Sequence, residues 1–79
     1  MVSDITIDIL GSDLMVNFNS PVGIATVSVY NSKSNLVYQI AVDTDNTAEV
    51  SIPVDFFKKG DYTVSVTYGS TVYTEQINL

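Results

Sequence analysis

Phe57-Lys58-Lys59-Gly60-Asp61-Tyr62-Thr63-Val64-Ser65-Val66-Thr67-Tyr68 is the stretch whose reading decides the fold. From Tyr62 onward, Tyr62, Val64, Val66 and Tyr68 alternate with Thr63, Ser65 and Thr67. That period of two belongs to a strand with one buried face. Ahead of it, an aromatic residue, two lysines and Gly60 make a turn, with the glycine offering backbone angles of positive φ. A tyrosine opening a strand directly after such a turn is the local pattern of a tyrosine corner. There the phenol hydrogen-bonds to backbone a few residues upstream and pins the connection between two sheets. Phe57, Gly60 and Tyr62 are the expected members of that corner. The plainer reading is a core tyrosine that follows a turn, and the number of strands in the whole chain favours the corner.

Working outward, the same alternation recurs in short segments on both sides. Residues 4–10 place Ile5, Ile7 and Ile9 on one face and Asp4, Thr6 and Asp8 on the other, ended by Gly11-Ser12-Asp13. Residues 14–18 and 24–30 follow, separated by Asn19-Ser20-Pro21; Val27 and Val29 point inward and Tyr30 outward. After the polar loop Asn31-Ser32-Lys33-Ser34-Asn35, residues 36–42 are apolar on both parities, which predicts a strand covered on both sides or lying beside a partner. Residues 48–52 form a fifth strand, residues 54–57 a single helical turn across one end, and residues 71–79 a last strand. Strands at this spacing, without a helical period, specify antiparallel sheets. The expectation is all-β: one immunoglobulin-like antiparallel β-sandwich domain of about seven strands spanning residues 1–79. Its inward set is Ile5, Ile7, Val16, Phe18, Val27, Val29, Tyr38, Ile40, Val50, Ile52, Val64 and Val66.

Composition removes several function classes. The chain has 79 residues, 3 Lys plus Arg against 9 Asp plus Glu, and a net charge of −6. It cannot assemble the basic patch that a nucleic-acid backbone requires, nor a polybasic attachment to anionic lipid. No apolar run approaches the ~20 residues of a membrane-spanning helix. Without His or Cys, neither an imidazole-assisted nucleophile nor a His/Cys metal site can be built. Gly11, Gly23, Gly60 and Gly69 stand apart in turns rather than together in a phosphate cradle. The chain is therefore expected to be non-catalytic and free of cofactors. Asp43, Asp45 and Asn46 put three oxygen ligands in one loop, a calcium candidate, but lack the glycine and distal glutamate of a dedicated calcium loop, and Asp and Asn form turns without a metal.

Three surfaces remain as interaction candidates. Tyr30, by its parity opposite Val27 and Val29, and Tyr73, whose face alternation does not decide, are the tyrosines open to stack on a sugar or anchor a protein. Val37 is the apolar residue on the second face of the doubly apolar fourth strand. Residues 71–79 could present an unpaired edge for self-association by strand pairing, against which Glu75, Thr74, Gln76 and Asn78 provide a polar guard.

The steps Gly60-Asp61-Tyr62-Thr63-Val64, Val27-Ser28-Val29-Tyr30-Asn31, Leu36-Val37-Tyr38 and Tyr73-Thr74-Glu75-Gln76-Ile77 resemble the small exported Ig-like domains of Bacteroidetes, among them a domain-of-unknown-function family of short secreted proteins. The resemblance spans essentially the whole chain. It implies export to the periplasm or cell surface with a signal peptide already removed, and it carries over no catalytic residue. The function expected is a non-catalytic binding or adhesion module, its partner a cell-surface protein or glycan. The alternative is a structural or assembly domain that pairs with other chains through edge strands.

Overall fold

The computed structural model describes residues 5–79. Seven strands follow one another: β1 (Ile5–Leu10), β2 (Asp13–Phe18), β3 (Ile24–Tyr30), β4 (Leu36–Asp43), β5 (Glu49–Pro53), β6 (Asp61–Tyr68) and β7 (Thr71–Asn78). Asp4, the expected start of the first strand and one of its two outward carboxylates, lies outside the described residues. All strand pairs are antiparallel and form two sheets, β1-β2-β5 and β4-β3-β6-β7. The fourth strand thus joins β3 instead of returning to β5, as in Ig-like sandwiches with a strand added beside the third.

Burial follows the alternation. Leu14, Val16, Ile52, Val27, Val29, Val64 and Val66 are the largest fully enclosed side chains, and the buried residues form one cluster between the sheets. Of the predicted inward set, only Tyr38 and Ile40 are half-buried rather than buried. Both sit on β4, an edge strand of its sheet, of whose inner-face residues only Val42 is buried. Of the two expectations for this strand, covered on both sides or beside a partner, that corrects the first. Leu36 and Val37 are 50% and 40% exposed. Between Val29 and Tyr30 the register slips, because Tyr30 pairs with Leu36 while Val29 pairs with Tyr38. Val37 is the extra residue of this β-bulge, and a bulge bends the strand and re-aims a side chain.

A second correction concerns residues 54–57. They make one hydrogen-bonded turn, Phe57 N–H to Val54 O at 3.0 Å, and no helix. Val54 is buried and its N–H donates to Ser12 O (2.9 Å), which ties this loop to the β1–β2 turn.

The two outer faces differ. On the three-stranded sheet the cross-strand rows are Thr6–Asn17–Glu49, Asp8–Met15–Ser51 and Leu10–Asp13–Pro53. On the four-stranded sheet they are Leu36–Tyr30–Thr63–Gln76, Gln39–Ser28–Ser65–Thr74 and Ala41–Thr26–Thr67–Val72. Each row of the first sheet carries one carboxylate, and the rows of the second carry no charge.

Candidate functional site

The end of the sandwich formed by the β3–β4 loop and the β5–β6 loop holds the tyrosine corner. Tyr62, buried in the core, donates its hydroxyl to Lys58 O at 2.7 Å. Its ring stacks on Phe57 with centroids 5.5 Å apart and planes 28° from parallel. Gly60 has φ of 149°, which L side chains rarely adopt. It exchanges both backbone hydrogen bonds with Leu79 (3.0 and 2.9 Å), extending the β6–β7 ladder by one pair. Phe57 and Tyr62 are thus joined by ring stacking and Tyr62 to Lys58 by its hydroxyl, while Gly60 is held by Leu79.

Across from this corner the β3–β4 loop is held by one side chain. The Asn31 carbonyl oxygen Oδ1 accepts the N–H groups of Lys33 (2.9 Å) and Asn35 (3.0 Å). Asn31 N–H donates to Asn35 O, and Ser34, at φ of 65°, donates its N–H to Asn31 O. An asparagine satisfying its own loop's donors is the mechanism by which this residue type favours turns.

Two adjoining depressions open between these loops. One, of about 430 Å³, is walled by Val37, Phe56, Phe57, Lys58, Asn31 and Tyr62. The other, of about 240 Å³, gathers Lys33, Lys58 and Lys59 around Asn31, Gly60, Asp61 and Tyr62. Phe56 projects from the first with 83% of its surface exposed, the most exposed large apolar side chain among the described residues. The three lysines of an otherwise acidic chain thus line one depression, and Lys58 also walls the neighbouring one beside the exposed Phe56. Sequence reading missed Phe56, because a Phe-Phe pair gives no signal as to which ring turns inward.

The remaining candidates are distributed elsewhere. Tyr30 is half-buried on the outer face of the four-stranded sheet, beside Leu36. Tyr73 is on the inner face of the same sheet, opposite Val66, and packs against the core while its hydroxyl donates to Glu75 Oε1 at 2.9 Å. The two tyrosines do not share a surface; Val37 alone joins Phe56. Strand β7 is an edge of its sheet, and Glu75 shares the inner face with Tyr73, a charge placement that discourages a further strand from adding there.

At the opposite end, Asp43 uses both carboxylate oxygens within its own loop. Oδ1 accepts the Asp45 N–H (3.1 Å) and Oδ2 accepts the Asn46 amide (2.7 Å). Asp43, Asp45 and Asn46 are therefore together in space as an Asx-type turn. Among the described residues no three His, Cys, Asp or Glu side chains converge to hold a metal. The structural weight of this loop rests on Thr44, which sequence reading passed over. Thr44 is buried; its hydroxyl donates to Gly23 O (2.6 Å) and accepts the Val22 N–H (2.8 Å), locking two loops together.

Two sheets of these orders, a shared core and a tyrosine corner define an immunoglobulin-like β-sandwich, with loops gathered at its two ends. Within that class the chain belongs to the family described as "Domain of unknown function (DUF3244)", whose match spans residues 1–77. The fold is shared with the crystal structure of a DUF3244 family protein from Bacteroides vulgatus ATCC 8482, described as having an immunoglobulin-like β-sandwich fold. The TM-score is 0.88 at 22% identity, over 96% of this chain and 84% of that one. None of the curated proteins matches this chain.

Proposed function

We propose that this domain is a non-catalytic binding module that recognises a protein segment through the loop end bearing Phe56. The observation that carries the reading is the exposure of Phe56 (83%) over a depression shared with Val37 and Lys58. A large ring held out in water by a fixed turn is a natural anchor, since aromatic residues in well-shaped depressions dominate contact energies. Lys33, Lys58 and Lys59 around the adjoining depression define the complementary chemistry. The fitting ligand presents an aliphatic or aromatic side chain next to one or more carboxylates. Charge of that sign steers encounter and sets specificity more than it adds affinity.

Selection from a displayed random-peptide library, with Phe56→Ser and Lys58→Glu variants for counter-selection, tests this. Peptides pairing an apolar residue with Asp or Glu should be enriched on the unaltered domain alone. No enrichment over the variants would overturn the proposal, as would a glycan array that lights up while the peptide library stays blank. Export to the cell envelope belongs to the same proposal; its support is the family resemblance, and protease accessibility on intact cells tests it.

A further inference from the structure

We infer that the outer face of the four-stranded sheet is a surface on which two copies of this chain dock face to face. The first ground is charge. The chain carries a net charge of −6, so two copies repel unless they meet where carboxylates are absent. The outer face of β1-β2-β5 brings Asp8, Asp13 and Glu49 to any contact. The three rows of β4-β3-β6-β7 bring none, and charged groups begin only at its ends, with Asp61 and Asp43. Depletion of charge at the centre is also the compositional mark of interface cores.

The second ground is the chemistry of that centre. Thr26, Ser65 and Thr67 lie in two neighbouring rows and leave hydroxyls at the surface, whereas Ser28 between them is buried and its hydroxyl accepts the Gln39 side-chain amide at 3.0 Å, so that Gln39 presents its amide in that row. A hydroxyl both donates and accepts, so a hydroxyl-rich face complements an identical one, which an array of carboxylates or ammonium groups cannot do. A two-fold contact between identical patches requires that property. Short side chains also leave the surface low enough for close approach of another sheet. Exposed aliphatic residues stand at the corners, Val72 at 62% and Leu36 at 50%.

Area sets the strength. Four strands at 4.8 Å spacing and the roughly five residue positions spanned by the charge-free rows at 3.3 Å give a footprint of roughly 320 Å² per copy, about 640 Å² in all. Stable complexes bury about 1,200–2,000 Å², so the dimer is weak and concentration-dependent. This contact does not include Phe56, and it adjoins that end only at its Leu36 corner, next to Val37.

Sedimentation equilibrium of the full chain from about 10 µM to about 1 mM, a range suited to interfaces of this size, reads the association directly. The weight-average mass should rise from 8.6 kDa toward twice that value. Added salt should strengthen the dimer, because it screens repulsion between two acidic chains. Thr67→Lys should weaken it about tenfold or more by placing an unpaired charge in the contact. Gln76→Lys, on the exposed edge strand of the same face, should do likewise and serves if Thr67→Lys misfolds. Asp8→Lys, on the other outer face, should leave the dimer intact. A monomer across the whole range overturns the inference. So does a dimer indifferent to both face variants, which would mean edge-strand pairing, or one that salt dissolves, which would mean the lysine end docking on an acidic end.

Discussion

Replacing Tyr62 by phenylalanine removes a single oxygen from the corner and leaves its ring in place. In the structure that oxygen donates to Lys58 O at 2.7 Å, across four residues of chain. The stacking on Phe57 at 5.5 Å is retained, as is the burial of the ring. What is lost is one hydrogen bond, about 0.5–1.5 kcal/mol net, plus part of the cost of stranding a partly buried carbonyl, about 1–3 kcal/mol when no water reaches it. Lys58 is itself exposed, so its carbonyl can be rehydrated, and the expected loss is about 1–1.5 kcal/mol. For a domain of this length that lowers Tm by roughly 4–10 °C. Urea unfolding should show a lower midpoint with unchanged slope, because the surface exposed on unfolding is the same. Tyr68→Phe is the control, since that tyrosine is only half-buried at the far end of the same strand; it should cost less than about 0.5 kcal/mol. Equal losses for the two variants, or a Tyr62→Phe loss below about 0.3 kcal/mol, would refute the claim that the corner pins the β5–β6 connection.

Thr44→Val keeps the buried shape but deletes the hydroxyl that bridges Val22 N–H and Gly23 O. Chemical denaturation should register a loss of about 1–3 kcal/mol, since the Val22 donor is left without its partner. Phe56→Ser should change stability by less than about 0.5 kcal/mol, as expected for an exposed site, while eliminating binding of selected peptides in a fluorescence titration. Millimolar calcium should leave Tm unchanged, because the Asp43 oxygens already serve the N–H groups of Asp45 and Asn46. A rise of several degrees in differential scanning fluorimetry would contradict that reading.

The fold was legible because alternation is a one-body signal. Ile5, Val16, Val27 and Val64 each declare their face through their own neighbours in sequence, and Gly60 before Tyr62 declares the corner. What failed to show depends on partners distant in sequence. Whether β4 lies inside or at the edge of a sheet is decided by pairing, which its doubly apolar pattern does not reveal, and the bulge that brings Leu36 beside Tyr30 on the outer face leaves no mark in the sequence. Thr44 reads as an ordinary loop threonine until the β2–β3 loop closes over it. The Phe56 end was invisible for the same reason, since Lys33 and Lys58 lie twenty-five positions apart in sequence and meet only around one depression. The charge-free sheet face needed register, because its rows combine four strands.

The most direct test of the functional account is an amide chemical-shift titration of the isotope-labelled domain with the best peptide from the library. The account predicts perturbations confined to residues 31–37 and 54–61, saturating together, and abolished in Phe56→Ser. Perturbations centred instead on the 43–47 loop at the opposite end, or on the rows around Ser28 and Ser65, would contradict it.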